Sequence, residues 1–455
     1  MGNSDDERGR RGLRRRQGVD SGPVKVGELE LSAPLAPISL RRGPDEHPYR
    51  AAMCLVRLHG RPLALLEIPA ADGEAELDAQ RLAAHAWSAC RDAVAFHLRA
   101  DGLPVPRALP PAGLSGLGRP RCLSERARTR SQAPAATIVV ATRERPASLS
   151  RCLDSLLELD YPDYEIVVVD NAPLTSATRD LLAAERFRGR VIYTREERRG
   201  LAAAHNRGLA VACGTIVAFT DDDVTADRLW LLELARGFGL ADGVACVTGL
   251  ILPAALETPA QLIAERLWGW GKGFTERVFD RTTDGGDPLY PYTAGTFGSG
   301  ANMAFATAAL RDLGGFDPAT GAGTPARGGD DLAGFFSVIA GGHRLVYNPA
   351  ALVRHAHHAD YEALRRQAYG YGVGLTAYLT KTVVEQPGRA LDLGRAARHG
   401  LRRARNPRAG SRSATATFER PCPPDLAWAE RWGMLAGPTA YLRSRRQVRR
   451  QGSMA

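Results

Sequence analysis

Short apolar runs without polar alternation recur through the middle of this chain: Ala136–Ala141, Tyr164–Val169, Gly189–Tyr193, Thr215–Phe219 and Val244–Leu250. A strand that does not alternate has to be buried on both faces, and runs of this kind separated by helical periodicity specify a mostly parallel sheet with helices on either side. The intervening helices are predicted over Pro146–Leu159, Ser176–Glu185, Leu201–Ala212 and Arg228–Gly239, with helix Leu332–Ala340 and strand His343–Tyr347 closing the domain. The fold class is therefore α/β, with a Rossmann-like, mostly parallel central sheet and a small α+β unit ahead of it. In open sheets of this class ligands bind beyond the carboxyl ends of the strands. Thr142, Asp170 and the run Thr220-Asp221-Asp222-Asp223 stand at such ends.

Three adjacent carboxylates at the end of a buried strand call for a cation or a solvated rim. A hard divalent ion, Mg²⁺ or Mn²⁺, takes oxygen ligands and leaves positions for a diphosphate. Asp223 is the expected direct ligand, Asp221 a ligand to nucleotide or metal-bound water, and Asp222 is open between these roles; a capped, solvated turn is the bland alternative. Asp170 can accept a hydrogen bond from a base imide or sugar hydroxyl. After the first strand, Thr142 can help hold a base while Arg143 and Arg145 approach phosphate. The segment Arg199-Gly200 through Asn206 opens a helix whose free amides suit an anion, although neither GxxxxGK[ST] nor GxGxxG is present. His205 within it reads equally as a packed core histidine. In Asp330-Asp331 one carboxyl of a like-charged pair can be raised so as to take a proton from an acceptor hydroxyl, while the other positions the acceptor. His355 and His357, ahead of His358, are candidates to complete the metal site.

The 455 residues carry a formal charge of +10, concentrated in Arg8–Arg16, Arg389–Arg412 and Arg443–Arg450. These segments read as solvated tails or as attraction to an anionic membrane; no recognition motif accompanies them, so nucleic acid is not expected. Five regions follow: a disordered basic arm (1–25), a small α+β accessory domain (26–100), a linker (101–134), the main catalytic domain (135–360) and a helical, basic extension (361–455). In the accessory domain Ala51–Leu58, a turn at His59-Gly60-Arg61-Pro62 and Leu63–Ile68 predict a hairpin, followed by a helix from Glu74 to Leu98. The seven cysteines are scattered without a CxxC pair, which predicts reduced thiols and no structural zinc. Lacking a secretory h-region or a long apolar run, the chain is expected to be cytoplasmic, with peripheral contact on the inner membrane face as the further expectation. The Gly- and Tyr-rich stretch Tyr369–Tyr378 is the candidate for lying at that interface.

Several ordered motifs resemble those of the family 2 glycosyltransferases, which have the nucleotide-diphospho-sugar transferase (GT-A) fold. Thr137–Pro146 is similar to the opening strand and loop, Glu165–Asn171 to the nucleotide-binding strand, Arg199–Gly208 to the segment near the diphosphate, and Ala218–Asp223 to the metal motif. Gly300-Ala-Asn302 and Leu313–Asp317 resemble the acceptor side, where Trp268, Trp270, Tyr290 and Tyr292 can stack on a sugar or apolar scaffold. Gly329-Asp330-Asp331 matches the motif whose last aspartate carries the base, which places Asp331 ahead of Asp330. His205 stands where an arginine is common and Asp330 where a glutamate is usual. The resemblance implies metal-assisted, inverting single displacement from a nucleotide-diphospho-sugar, UDP before GDP, to a hydroxyl of a small-molecule, glycan or lipid-linked acceptor. A sugar nucleotidyltransferase would show a Gly-rich signature with lysine after the first strand, which Thr142-Arg-Glu-Arg145 lacks; a noncatalytic sugar- or lipid-binding scaffold would not need both Asp223 and Asp331.

Overall fold

The structure, a computed structural model, describes residues 22–43, 46–269, 271–283, 289–395 and 422–452. The basic arm through Arg16, most of the Arg389–Arg412 tract and Trp270 lie outside the described residues. The chain divides into two compact units. One comprises residues up to 118 together with 255–265 and 357–361; the other comprises 119–254, 266–356 and 362 onward.

In the first unit β1 (Val24–Glu30), β2 (Ala51–Leu58) and β3 (Arg61–Pro69) form a three-stranded sheet, β1 parallel and β3 antiparallel to β2, followed by α1 (Ala79–Ala100). Leu29, Val56, Leu82, Ala86, Val94 and Leu98 share its core. The hairpin turn is tighter than the sequence suggests. His59 and Gly60 alone form it, both at positive φ (53° and 78°), and Arg61 and Pro62 already belong to β3. β1 escapes the sequence reading because only two of its seven residues are buried, so its pattern lacks an apolar stripe. Residues 255–265 join the unit through backbone, Val24 N–H donating to Leu256 O at 2.9 Å.

The second unit is built, among the described residues, on a nine-stranded sheet. Its principal strands and helices are β4 (Ala136–Thr142), α2 (Pro146–Leu156), β5 (Tyr164–Asn171), β6 (Ile192–Glu196), α3 (Leu201–Val211), β7 (Ile216–Asp221), β8 (Val224–Ala226), α4 (Trp230–Gly237), β9 (Val244–Pro253), β10 (Met303–Ala306), α5 (Asp330–Ala340) and β11 (Arg344–His355). The order is β8-β11-β9-β10-β7-β4-β5-β6, with strand Arg277–Phe279 also pairing β11. β6, β5, β4 and β7 are parallel, as are β9 and β11, while β10 runs antiparallel between the two sets. Successive residues of β4 serve opposite faces: Ile138 and Val140 pack with Ile166, Val168 and Trp230, whereas Val139 packs with Val167, Phe219 and Phe335. Burial on both sides is the physical reason β4, β5 and β7 are so largely apolar, whereas the edge strand β6 (Ile192–Glu196) is mostly exposed and begins three residues later than the predicted Gly189–Tyr193.

One region departs from the sequence expectation: the segment read as a linker contains helix Arg121–Ser131. The described part of the C-terminal extension contains α6 (Tyr361–Glu385) and α7 (Pro424–Gly452). Gly372 of α6 and Gly433 of α7 form a seam between these two helices. A Cβ on Gly372 would lie 2.0 Å from Glu430 O and one on Gly433 2.1 Å from Tyr369 O, so glycine is what lets the two backbones approach. The expectation of an interfacial surface on Tyr369–Tyr378 is corrected accordingly. No described helix is long and apolar enough to cross a membrane.

Candidate active site

The parallel register carries the strand-end residues to one edge of the sheet: Thr142 lies opposite Asp170, and Ala141 opposite Asp221. β7 ends at Asp221, and Asp222-Asp223 form the tight turn into β8, so the three consecutive carboxylates leave the backbone in different directions. Asp222 turns inward, 4% exposed, and accepts from Thr142 Oγ1 at 2.7 Å and Arg145 Nη1 at 2.6 Å. Burial, above all, pushes its carboxyl up to about 6, against the pull of Arg145 and Thr142. This anchors the end of β7 to the end of β4, with Asp222 as the strut between them. Arg145 is engaged in the same knot, 3.1 Å from Asp223 Oδ2, rather than extended toward a phosphate.

Asp221 and Asp223 turn the other way and meet His355 at the end of β11. His355 Nε2 lies 3.2 Å from Asp223 Oδ1 and 3.6 Å from Asp221 Oδ2. One ligand atom from each of the three falls within 4.8 Å of the others. Asp223 Oδ1 is buried and completes no hydrogen bond. Burial opposes charge on His355, but the two carboxylates outweigh it and lift its proton affinity above the ordinary histidine range. Two carboxylate oxygens and an imidazole nitrogen fit a divalent cation, and the nitrogen favours Mn²⁺ over Mg²⁺. His357 does not join them. It belongs to the first unit, where Nε2 lies 2.9 Å from Glu265 Oε2, so its metal role is withdrawn.

Asp170 is 1% exposed, accepts from Tyr193 OH at 3.1 Å, and has its carboxyl raised chiefly by burial. Asn171 beside it fixes the helix entrance, donating to Arg198 O (2.8 Å) and accepting from Gly200 N–H (2.9 Å). Gly200 sits at φ 144°, and a Cβ there would press on Thr324 Cγ2 at 2.8 Å. Arg199 is exposed at this entrance, and Arg143 donates from Nε to Ala172 O. Asn206 is corrected from ligand to strap: its amide accepts from Phe316 N–H (2.8 Å) and donates to Phe316 O (2.7 Å), leaving little for a sugar nucleotide. His205 is a core histidine between Phe219 and Phe316, with ring centroids 4.9 and 5.1 Å away, and burial lowers its proton affinity to about 4.

At the start of α5, Asp330 and Asp331 behave differently. Asp330 is buried and pushed up to about 8, by burial first and by the Asp331 charge second. That environment favours its neutral form. Asp331 is only partly covered, and its Oδ2 accepts from Gly300 N–H at 2.9 Å. Burial raises it too, and the Asp221 charge acts on both members of the pair. Lys272, which the sequence reading passed over, is held down by burial while Asp331 pulls it upward. Its position between two glycines, next to the singled-out tryptophans, was the available signal. Gly300 thus supports Asp331 through its backbone. Asn302 has a different job: fully buried, it accepts from Trp230 Nε1 (2.8 Å) and donates to Leu250 O and Ala351 O (2.9 and 2.8 Å). With every polar position used, it locks β10 between its neighbours and cannot reach an acceptor. Trp268 packs edge-on against Tyr371, ring centroids 5.4 Å apart.

Residues 137–286 match the model of the family described as "Glycosyl transferase family 2". That region, about a third of the chain, is similar to this glycosyltransferase family. A "Pre-mycofactocin glycosyltransferase" of Mycobacterium tuberculosis is 27% identical over 228 residues, which are 49% of this chain and 42% of the relative. A "Glucosyl-dolichyl phosphate glucuronosyltransferase" of Haloferax volcanii is 25% identical over 48% of this chain and 68% of its own length. The chain thus spans less than half of the mycobacterial relative. A solved mannosyltransferase of Pyrobaculum calidifontis, in complex with GDP-Man and Mn²⁺, has a TM-score of 0.43 and 20% identity over 70% of this chain and 94% of its own.

Proposed function

We propose that this protein transfers a sugar from a nucleotide-diphospho-sugar, UDP before GDP, to an acceptor hydroxyl with inversion. The observation that carries the reading is the meeting of Asp221, Asp223 and His355 at the sheet edge, close enough to the α5 carboxyl pair for the Asp221 charge to act on Asp331. Asp223, Asp221 and His355 would hold Mn²⁺ or Mg²⁺, which when bound offsets the charge gathering on the leaving diphosphate. Asp170 accepts from the base, and Arg199 and the amides at the α3 entrance face the phosphates. The acceptor oxygen attacks the anomeric carbon on the face opposite the diphosphate, the new C–O bond forms as the bond to the phosphate oxygen breaks, and the acceptor proton passes to Asp331. The Asp330 carboxyl, neutral beside it, leaves Asp331 the charged member of the pair.

A lipid-linked acceptor ranks ahead of a free glycan or small molecule. α7 exposes Trp428, Trp432, Leu435 and Leu442, with Arg443, Arg446, Arg449 and Arg450 exposed on the same helix, a combination suited to peripheral contact with an anionic bilayer. The name of the Haloferax relative also describes transfer involving a dolichyl phosphate. The test is mass-spectrometric detection of product from UDP-, GDP- and dTDP-sugars with Mn²⁺ against polyprenyl-phosphate, glycan and small-molecule acceptor pools. Product lost in both Asp223→Ala and Asp331→Asn supports the reading. Nucleotide and metal binding with no product from any pool counts against it.

A further inference from the structure

The first unit holds a second cluster of metal-ligating side chains. His59 Nδ1 lies 3.0 Å from Asp101 Oδ2 and 3.0 Å from His97 Nε2, and His97 Nε2 lies 3.2 Å from the same Asp101 oxygen. All three residues are buried, at 8%, 7% and 5% exposure.

With Asp101 charged, hydrogen bonding among these three atoms leaves like groups facing each other. Each ring nitrogen carries at most one proton. If both imidazoles direct N–H to the carboxylate, two donors face each other across 3.0 Å; if one donates to the other, the acceptor's lone pair faces the carboxylate oxygen. An ion at the apex removes the conflict, because all three atoms then point lone pairs at it. The dimensions agree. Edges of 3.0 to 3.2 Å subtend angles of roughly 95–105° at an ion about 2.05 Å from each atom, the usual zinc distance to imidazole and carboxylate.

The local chain is arranged to hold this triangle. His59 occupies left-handed backbone at φ 53°, unusual for a residue other than glycine, and the turn is clamped by Glu30, whose carboxylate accepts from His59 N–H (3.0 Å) and Gly60 N–H (2.8 Å). His97 and Asp101 are four apart at the end of α1, on one face. Asp101 is the C-cap, where the negative end of the helix dipole opposes a carboxylate and a cation relieves both.

We propose that His59, His97 and Asp101 form a structural zinc site that ties the β2–β3 turn to the end of α1. This sets aside the expectation of no structural zinc, which rested on cysteine spacing alone. The ligands are histidines and an aspartate far apart in sequence, so no CxxC pattern announces them. A fourth position remains for water or another ligand, as zinc commonly takes four.

The test uses the full chain carrying Asp223→Ala and His355→Gln, which removes the active-site cluster. After incubation with Zn²⁺ and desalting, elemental analysis is expected to find about one zinc per chain, and adding His97→Gln or Asp101→Asn should weaken retention at least tenfold. Zinc should also raise Tm in the background protein and not in these variants. Since a core substitution can unfold the unit, zinc-edge X-ray absorption on the folded background protein decides independently: imidazole scattering supports the site. Absence of zinc uptake by the folded background protein overturns it and leaves a His–Asp–His hydrogen-bonded cluster; so does full retention of zinc in a folded His97→Gln/Asp101→Asn double variant. Failure of sugar transfer has no bearing on these readouts.

Discussion

Replacing Asp330 with asparagine isolates one buried carboxyl whose protonation the fold imposes. In the unfolded chain an aspartate titrates near 3.9; here burial and the Asp331 charge push it up to about 8. Between those values the native state holds a proton that the unfolded state has released, so stability falls as pH rises and levels off above the native value. The slope is at most about 1.4 kcal/mol per pH unit, so the loss from pH 5 to pH 8 is bounded at about 4 kcal/mol, and titration shared with Asp331 makes it smaller. The amide of the variant has no such proton to lose and nearly the same shape. The stability of Asp330→Asn relative to wild type should therefore climb steadily from pH 5 to 8, with the variant the more stable at the alkaline end. Urea unfolding monitored at half-unit pH intervals reads this directly. Parallel curves across that range would refute the claim that this environment favours the neutral form of Asp330.

Other expectations follow from the same geometry. Because the proton on His355 competes with a metal ion, Mn²⁺ affinity should rise about tenfold per pH unit below the raised His355 value, and calorimetry should find this slope flattened in His355→Gln. Asn206→Ala should lower stability by about 1–3 kcal/mol through the lost Phe316 strap while leaving donor affinity within about twofold; a specific loss of nucleotide binding in a fully stable variant would restore it as a ligand. Asn302→Ala, which orphans Trp230 Nε1 and two carbonyls, should cost more than Asn206→Ala in the same denaturant assay. Trp428→Ser with Trp432→Ser should abolish co-sedimentation with anionic vesicles and spare turnover of a soluble acceptor analogue; unchanged sedimentation would remove membrane contact from the proposal.

What the chain's local order determined was the sheet and its ligand edge. Uniformly apolar strands specify burial on both faces, and their carboxyl ends place Thr142, Asp170 and Asp221–Asp223 together whatever the rest of the fold does. The C-terminal seam and helix Arg121–Ser131 were harder to read, since glycine and arginine lower the apolar signal that marks a packed helix. Tertiary structure alone decided which polar groups are free to do chemistry. Asn206 and Asn302 sit inside motifs resembling those of the family, yet their amides are consumed by partners as far as 110 residues away in sequence. His355 and His357 are two residues apart, but a strand ending at the first sends one to Asp223 and leaves the other beside Glu265. His59 and Asp101 are joined by a two-residue turn meeting a helix end. Sequence spacing fixes periodicity and burial; the partner of a carboxylate, an amide or an imidazole depends on which distant backbone the fold brings within about 3 Å.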